Sequence, residues 1–384
     1  MKRSEIPRFG VLNGVQVVYS APATAGPYAA ELMADFGADV LWIESPMGMD
    51  STRLVAKGLT AEAERRNQRN ISLDIPSAEG RKIFLRLLKN ADIFIEASKG
   101  GQFVKWGLTD DVLWRANPRL VIVHVSGFGQ TGIPEYVSRP SYDQIGQSFG
   151  CYMQLNGLPD SVPVAASPVP CDYMTALFAA TSALAALHKA KETGNGESID
   201  LAQYEVMMRV QGYAPMEFLN FGVKPSREDA HNAYLAGVGC YEFADGRFVY
   251  IMLYGTAILN RVLPLLGLQF GSDLFPSNMP AIQLHTAAGQ LLEEKLGEFC
   301  KRHTATEASE LLLQAGAPVS VVYDYEMALH DPHYKAREVF VEWNTVESKP
   351  IKGINIFPKF KKNPGRIWRG APYAGWTTRM SWKN

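Results

Sequence analysis

The sequence predicts an α/β fold: a large domain built on a parallel sheet, followed by a smaller α+β domain. Three observations carry this reading. Strand-like and helix-like runs alternate through the first half of the chain, the strand-like runs are apolar on both faces, and the texture changes near Lys224. Strands apolar on both faces need helices on both sides of their sheet, and parallel neighbours need a long crossover, usually a helix.

In chain order, "GVQVVYS" (14–20) is valine-rich and ends at the loop "APATAGP". "PYAAELMADFG" (27–37) is helical, with Pro27 suited to a first turn and Gly37 to a stop. "ADVLWIE" (38–44) completes a βαβ unit. The alternation continues with a helix over 77–90, a strand over 91–98, a helix over 109–117 and a strand over 119–129. A long helix over 173–192, a strand over 198–202 and a helix over 204–220 follow. From Lys224, "GVGCYEFADGRFVYIMLY" reads as a hairpin turning at "ADG" (244–246), with amphipathic helices near 283–301 and 305–315. The expected boundaries are 1–223 for the large domain, 224–326 for the small one and 327–384 for a C-terminal segment returning to the large domain. Within it, "SKPIKGINIFPKFKKNPGRIWRGAPYAGW" (348–376) reads as an irregular tail.

With 384 residues, 47% hydrophobic and 20% charged, the chain can bury a large core. A net charge of −1 argues against nonspecific attraction to nucleic acid or to an acidic membrane. The four cysteines are scattered without a C-x-x-C pair, which disfavours a disulfide framework or zinc site and fits a reducing compartment. The N-terminus lacks the apolar core of a secretory signal, and no run reaches the ~20 apolar residues of a membrane span. A soluble cytoplasmic protein is expected, without nucleic-acid or membrane partners.

The first βα loop lacks G-x-G-x-x-G, so NAD is disfavoured even though Glu44 ends the second strand where a ribose-binding acid would stand. "GFGQTG" (127–132) divides evenly between a tight turn and a ligand-facing loop. His330 and His333 read as a surface turn, and no metal is expected. Arg53, Arg65, Arg66 and Arg69, then Lys99 and Lys105, fall in loops flanking the carboxyl ends of strands, where basic groups can hold a nucleotide phosphate. Asp172 follows Pro168 and Pro170 and precedes the long helix. It is the only acid between Asp160 and Glu192. Local pattern supports two readings, a helix N-cap and a nucleophile kept ionised by the helix N-terminus. It does not choose between them.

The blocks "LNGVQVVYSAPATAGPYAAELMADFGADVLWIESP", "NPRLVIVHVSGFGQTG", "DYMTALFAATSALAALHKAKETGNGESIDLAQYEVM" and "DPHYKAREVF" occur in one order over about Phe9 to Gly375. Together they resemble the class III (CaiB/BaiF) CoA-transferase family. "IFIEASKG" and "INIFPKFKKNPGRIWRGAP" are similar to the carnitine CoA-transferases within it. The resemblance implies a Rossmann-like CoA-binding large domain, a small domain, and two chains interlocked as rings in a homodimer. It makes Asp172 the catalytic carboxylate and CoA the substrate and acyl carrier. Its CoA contacts fall on Lys99 and Lys105, and Arg69 stands beside Asn70 where many members have lysine.

Crotonobetainyl- or γ-butyrobetainyl-CoA and L-carnitine are the implied betaine-type substrates, with another small carboxylic acid as the alternative. Tyr142, Phe149, Tyr152, Tyr213, Tyr234 and Tyr241 are the aromatic faces considered for a trimethylammonium group. "YLAGVGCY" (234–241) matches a glycine-containing loop that family members place over the active site. An α-methylacyl-CoA racemase would need a histidine where "SYD" stands at 141–143. A non-enzymatic acyl-CoA-binding protein would not need Asp172. Relatives usually continue past the G-x-P block with a further helix, whereas this sequence ends "AGWTTRMSWKN".

Overall fold

A computed structural model describes residues 6–227 and 230–376. Residues 1–5 and the final "TTRMSWKN" lie outside the described residues. The chain divides into two compact units: residues 1–153, 165–224 and 334–384 form one, and 154–164 with 225–333 form the other.

The first unit runs β1 (Gln16–Ser20), α1 (Ala25–Asp35), β2 (Asp39–Glu44), α2 (Leu59–Arg65), β3 (Arg69–Ser72), α3 (Ala78–Leu88), β4 (Ile93–Ala97), α4 (Gln102–Lys105) and α5 (Asp110–Ala116). It continues through β5 (Val121–Ser126), α6 (Pro134–Val137), α7 (Asp143–Phe149), α8 (Pro170–Thr193), β6 (Ser198–Ala202), α9 (Gln203–Arg209) and α10 (Ala214–Phe221). All six strands are parallel, in the order β3-β2-β1-β4-β5-β6. This is the α/β architecture the sequence predicts, and its strand order reverses between β1 and β4.

Each face of the sheet has its own core. On one face Val17, Tyr19, Ile95 and Val123 pack with α1 and α8; on the other, Phe94 and Ile122 pack with Phe84, Leu88 and Leu113 of α3 and α5. The alanine-rich run of α8 has a packing cause. Ala176, Ala179, Ala183 and Ala190 are buried in one cluster with Ala29, Ala30 and Ala34 of α1. Small side chains on both helices let the axes approach closely.

Three local expectations are corrected. β3 was not predicted, because "RNIS" is short and polar; it pairs with β2 from Leu41↔Arg69 to Glu44↔Ser72. The helix expected over 204–220 is broken into α9 and α10, with Gly212 between them at φ +65°. The tail is not irregular throughout, since β10 (Phe340–Asn344) and β11 (Pro350–Ile354) form an antiparallel hairpin.

The second unit holds the antiparallel sheet β7 (Val238–Glu242), β8 (Phe248–Met252) and β9 (Val319–Val321). The turn predicted at "ADG" joins β7 to β8, with the Gly246 N–H donating to Phe243 O at 2.9 Å. Helices α11 (Thr256–Val262), α12 (Ala287–Arg302), α13 (Ala305–Gln314) and α14 (Tyr325–His330) belong to this unit, and α15 (Pro332–Ala336) follows. Leu259, Leu292, Leu296 and Leu312 meet Val249 and Ile251 of β8 in its core. The "YLAGVGCY" stretch leads into β7, and the Tyr241 hydroxyl lies 3.1 Å from both carboxylate oxygens of Glu293.

A charged triad sits inside the first unit. His124 of β5 places Nδ1 2.8 Å from Glu96 of β4 and Nε2 2.9 Å from Asp110 at the start of α5. Burial opposes the imidazolium, but hydrogen bonds to Asp110 and Glu96 outweigh it and raise the pKa from 6.5 to about 9. A folded-state pKa above the unfolded one gives stability that is full below pH 6.5 and lost as pH rises through 9. Urea titrations of wild type and His124→Gln therefore predict a stability gap of about 2–4 kcal/mol near pH 6. That gap should shrink between pH 6.5 and 9, and a constant gap would contradict a charged triad.

Candidate active site

A cleft of about 740 Å3 opens at the carboxyl ends of the central strands. Its walls include Ser20 at the end of β1, Glu44 of β2, Ala97 of β4 and Ser126 of β5. This is where an open parallel sheet accommodates ligands, at the point where strand order reverses. The first βα loop, Ala21 to Ala23, and the N-terminal residue of α1, Ala25, form one side. Asp172 and Gln203 lie on the same lining.

The start of α8 decides where Asp172 sits. Val169 is the N-cap and makes no side-chain cap, while Pro170 occupies N1 and has no N–H to satisfy. The remaining first-turn donors are satisfied from α7. Asp143 accepts the Asp172 N–H at 3.1 Å and also the Cys171 N–H. The cap reading of Asp172 is therefore corrected: Asp143 does the capping, and Asp172 is the third residue of the helix with its side chain free for the cleft. Gln147 fixes Asp143 in turn, donating to it at 2.5 Å and to Ala166 O at 3.0 Å. Gln203, the first residue of α9, donates to Asp172 Oδ1 at 2.6 Å.

The expectation that the helix N-terminus keeps Asp172 ionised is also corrected. Burial first, then the negative charges of Asp143 and Glu64, raise its pKa from 3.8 to about 7 against the lowering effect of Gln203. Asp172 is 7% exposed, Asp143 2% and Glu64 1%, so little water screens the cluster. Burial raises the pKa values of Asp143 and Glu64 as well. An acid that was alone in its sequence window is one of three in space. Asp143, Glu64 and Gln203 were not identified from sequence as neighbours of Asp172. In the sequence the "SYD" tripeptide stands out only for its missing histidine, whereas in the structure its Asp143 caps α8.

The basic residues divide sharply. Arg53 binds Glu44 with Nη2 at 2.8 Å, Arg65 binds Asp50 at 3.1 Å, Arg66 binds Asp35 at 2.6 Å and Arg69 binds Asp39 at 2.6 Å. These arginines brace the loops around the sheet, and Arg53 and Arg65 also stack over Trp42 at 4.5 and 4.9 Å. Arg69 does not line the cleft. Lys99 does, and so does Arg139; Lys105, at the end of α4, is exposed and outside the lining. Of "GFGQTG" only Gly127 lines the cleft. A Cβ there would stand 2.1 Å from the Ser141 Cβ, so the glycine lets the 139–142 segment lie against the end of β5. Of the six aromatics considered, only Tyr142 lines the cleft.

Among the described residues no group of three or more His, Cys, Asp or Glu could hold a metal ion, and no helix is long and apolar enough to cross a membrane. Residues 12–378 match CoA-transferase family III. The chain belongs to that family. It is a class III CoA-transferase, and coenzyme A, as substrate, follows from the family. A CAIB/BAIF family protein from Brucella suis is similar at 27% identity and a TM-score of 0.79, covering 97% of this chain and 100% of that one. The protein Rv3272 from M. tuberculosis shares the fold at a TM-score of 0.84 with 22% identity, covering 97% of this chain and 99% of its own.

If Asp172 attacks as its carboxylate, kcat/KM for the acyl-CoA should fall about tenfold per pH unit below an apparent pKa near 7 and level off above it. Asp143→Asn keeps a capping oxygen but removes a neighbouring charge, so the inflection should move to lower pH. A wild-type inflection near 4, or one unmoved in the variant, would contradict this electrostatic account.

Proposed function

We propose that this family III enzyme moves CoA between carboxylic acids through covalent intermediates on Asp172. The observation that supports this most is the placement of Asp172: buried, hydrogen-bonded by Gln203, and set into the lining of the switch-point cleft. A nucleophilic carboxylate with a raised pKa is more basic, hence more nucleophilic once ionised, than a solvated aspartate.

The steps conserve charge and atoms. The Asp172 carboxylate attacks the acyl-CoA carbonyl, the C–S bond breaks, and a mixed anhydride and CoA thiolate form. The thiolate then attacks the aspartyl carbonyl, releasing the first acid and leaving an aspartyl-CoA thioester. The incoming carboxylate attacks the aspartyl carbonyl of that thioester, expelling CoA thiolate and forming a new anhydride. The thiolate then attacks the acyl carbonyl of that anhydride, giving the product acyl-CoA and freeing the Asp172 carboxylate. Each step exchanges activated acyl species of similar energy, so no nucleotide triphosphate is consumed. Lys99 at the cleft and Lys105 on α4 are the cations we assign to the CoA phosphates. Arg69 is occupied by Asp39.

Betaine-type acids are the substrate class we propose, L-carnitine with crotonobetainyl- or γ-butyrobetainyl-CoA. The resemblance nominates them, and Tyr142, 68% exposed within the cleft, offers an aromatic face for a trimethylammonium group. Exchange assays with L-carnitine, γ-butyrobetaine and formate test this, and a preference for formate would overturn the betaine assignment. A racemase reading is weaker, because no histidine stands among the described residues lining the cleft.

We also assign the exposed apolar face of α10 to the interlocked homodimer. Met216, Phe218, Leu219 and Phe221 are 49–79% exposed there. Asp172→Ala and Asp172→Asn should lose CoA exchange by at least a thousandfold while binding CoA within a few-fold of wild type. Full exchange activity in Asp172→Ala would exclude the covalent route.

A further inference from the structure

We infer that Arg139 receives the carboxylate of the acid substrate and steers it to Asp172. The inference rests on the CoA-transfer reading and assigns a residue that the sequence pattern did not single out.

The reaction imposes an electrostatic problem on the cleft. It must admit the phosphates of CoA and a free carboxylate, although Asp172 is backed by Asp143 and Glu64. Two other acids on the lining are already matched, Glu44 by Arg53 and Asp50 by Arg65. The cations that remain on the lining are Lys99 and Arg139, and neither pairs with a carboxylate among the described residues. Two anionic loads thus face two available cations, and their places in the chain separate them. Lys99 follows β4 on the α4 side. Arg139 lies in the short segment leading to α7, whose first residue, Asp143, holds the Asp172 N–H.

Arg139 is prepared for a carboxylate. Its guanidinium carbon lies 3.7 Å from the centroid of the Tyr136 ring, a cation–π contact that restrains the group, and no carboxylate among the described residues takes its N–H groups. A guanidinium so restrained can take a carboxylate through two parallel hydrogen bonds. Gly127 admits the segment, since any side chain there would collide with Ser141.

A second hollow, about 420 Å3, adjoins the same residue. It is lined by Phe128, Arg139, Pro140, Ile145, Ser148 and Phe149, so Arg139 and Pro140 form a wall common to it and the main cleft. Apart from Arg139 and Ser148 its lining is apolar. An acid whose carboxylate is held by Arg139 can lay its carbon chain against Phe128 and Phe149. The ligand class is a short-chain monocarboxylate.

Steady-state exchange with the acid and the acyl-CoA varied separately tests the assignment in wild type, Arg139→Leu and Arg139→Lys. The acids are butyrate and γ-butyrobetaine, which differ by a trimethylammonium group. In Arg139→Leu, KM for the acid should rise about 10- to 100-fold, with KM for the acyl-CoA within about twofold. Arg139→Lys should recover part of that loss, because the charge returns without the two-pronged geometry. A rise in KM for the acyl-CoA, or no change in either KM, would overturn the assignment while leaving CoA transfer intact. Failure of the wild type to exchange CoA with any carboxylate would instead overturn the reading on which it rests.

Discussion

The hydrogen bond from the Asp172 N–H to the Asp143 carboxylate is the contact on which the site depends. A helix start leaves its first N–H groups without intrahelical partners, and α8 begins with a proline and a valine that cannot cap with a side chain. The missing acceptor comes from α7. Alanine packing against α1 sets the depth of α8, and the capping contact fixes where its first turn begins. Asp172 therefore reaches the cleft from a rigid helix rather than a loop, and its own carboxylate is not used as the cap.

The arrangement has an energetic cost. Three carboxylates, all at least 93% buried by exposure, crowd the start of one helix, and burial is the leading cause of the raised pKa at each. The helix dipole contributes about 0.3–1 kcal/mol toward an anion, with roughly 2 in favourable partly buried cases. A shift from 3.8 to about 7 corresponds to roughly 4 kcal/mol in the opposite direction. Desolvation wins. Strain of this kind persists where the surrounding structure over-determines it, here through Gln147, Gln203 and the hydrogen bond from Tyr173 to Glu64.

Much of the fold was legible because burial on both faces of a parallel sheet leaves long apolar runs. β3 escaped because its four residues are held by pairing with β2 and by side-chain contacts such as Arg69 with Asp39, not by an apolar pattern. The break between α9 and α10 is marked in the sequence by Gly212 and by Pro215 in the first turn of α10, but both sit inside a stretch rich in helix-compatible apolar residues. In the site, Asp172 was legible as a position and through family resemblance. Its partners were not, since Asp143 and Gln203 lie 29 and 31 residues away along the chain. The arginines near the strand ends misled for the same reason. Sequence shows a charge but not the carboxylate that tertiary structure sets against it.

The covalent role proposed for Asp172 is tested most directly by trapping the enzyme during turnover. Wild type mixed with acyl-CoA and acid, quenched rapidly and digested, should yield the peptide containing Asp172 with CoA attached as a thioester. Hydroxylamine should convert that adduct to a hydroxamate. Sustained CoA exchange with Asp172 unmodified, or with the adduct on another residue, would contradict the account.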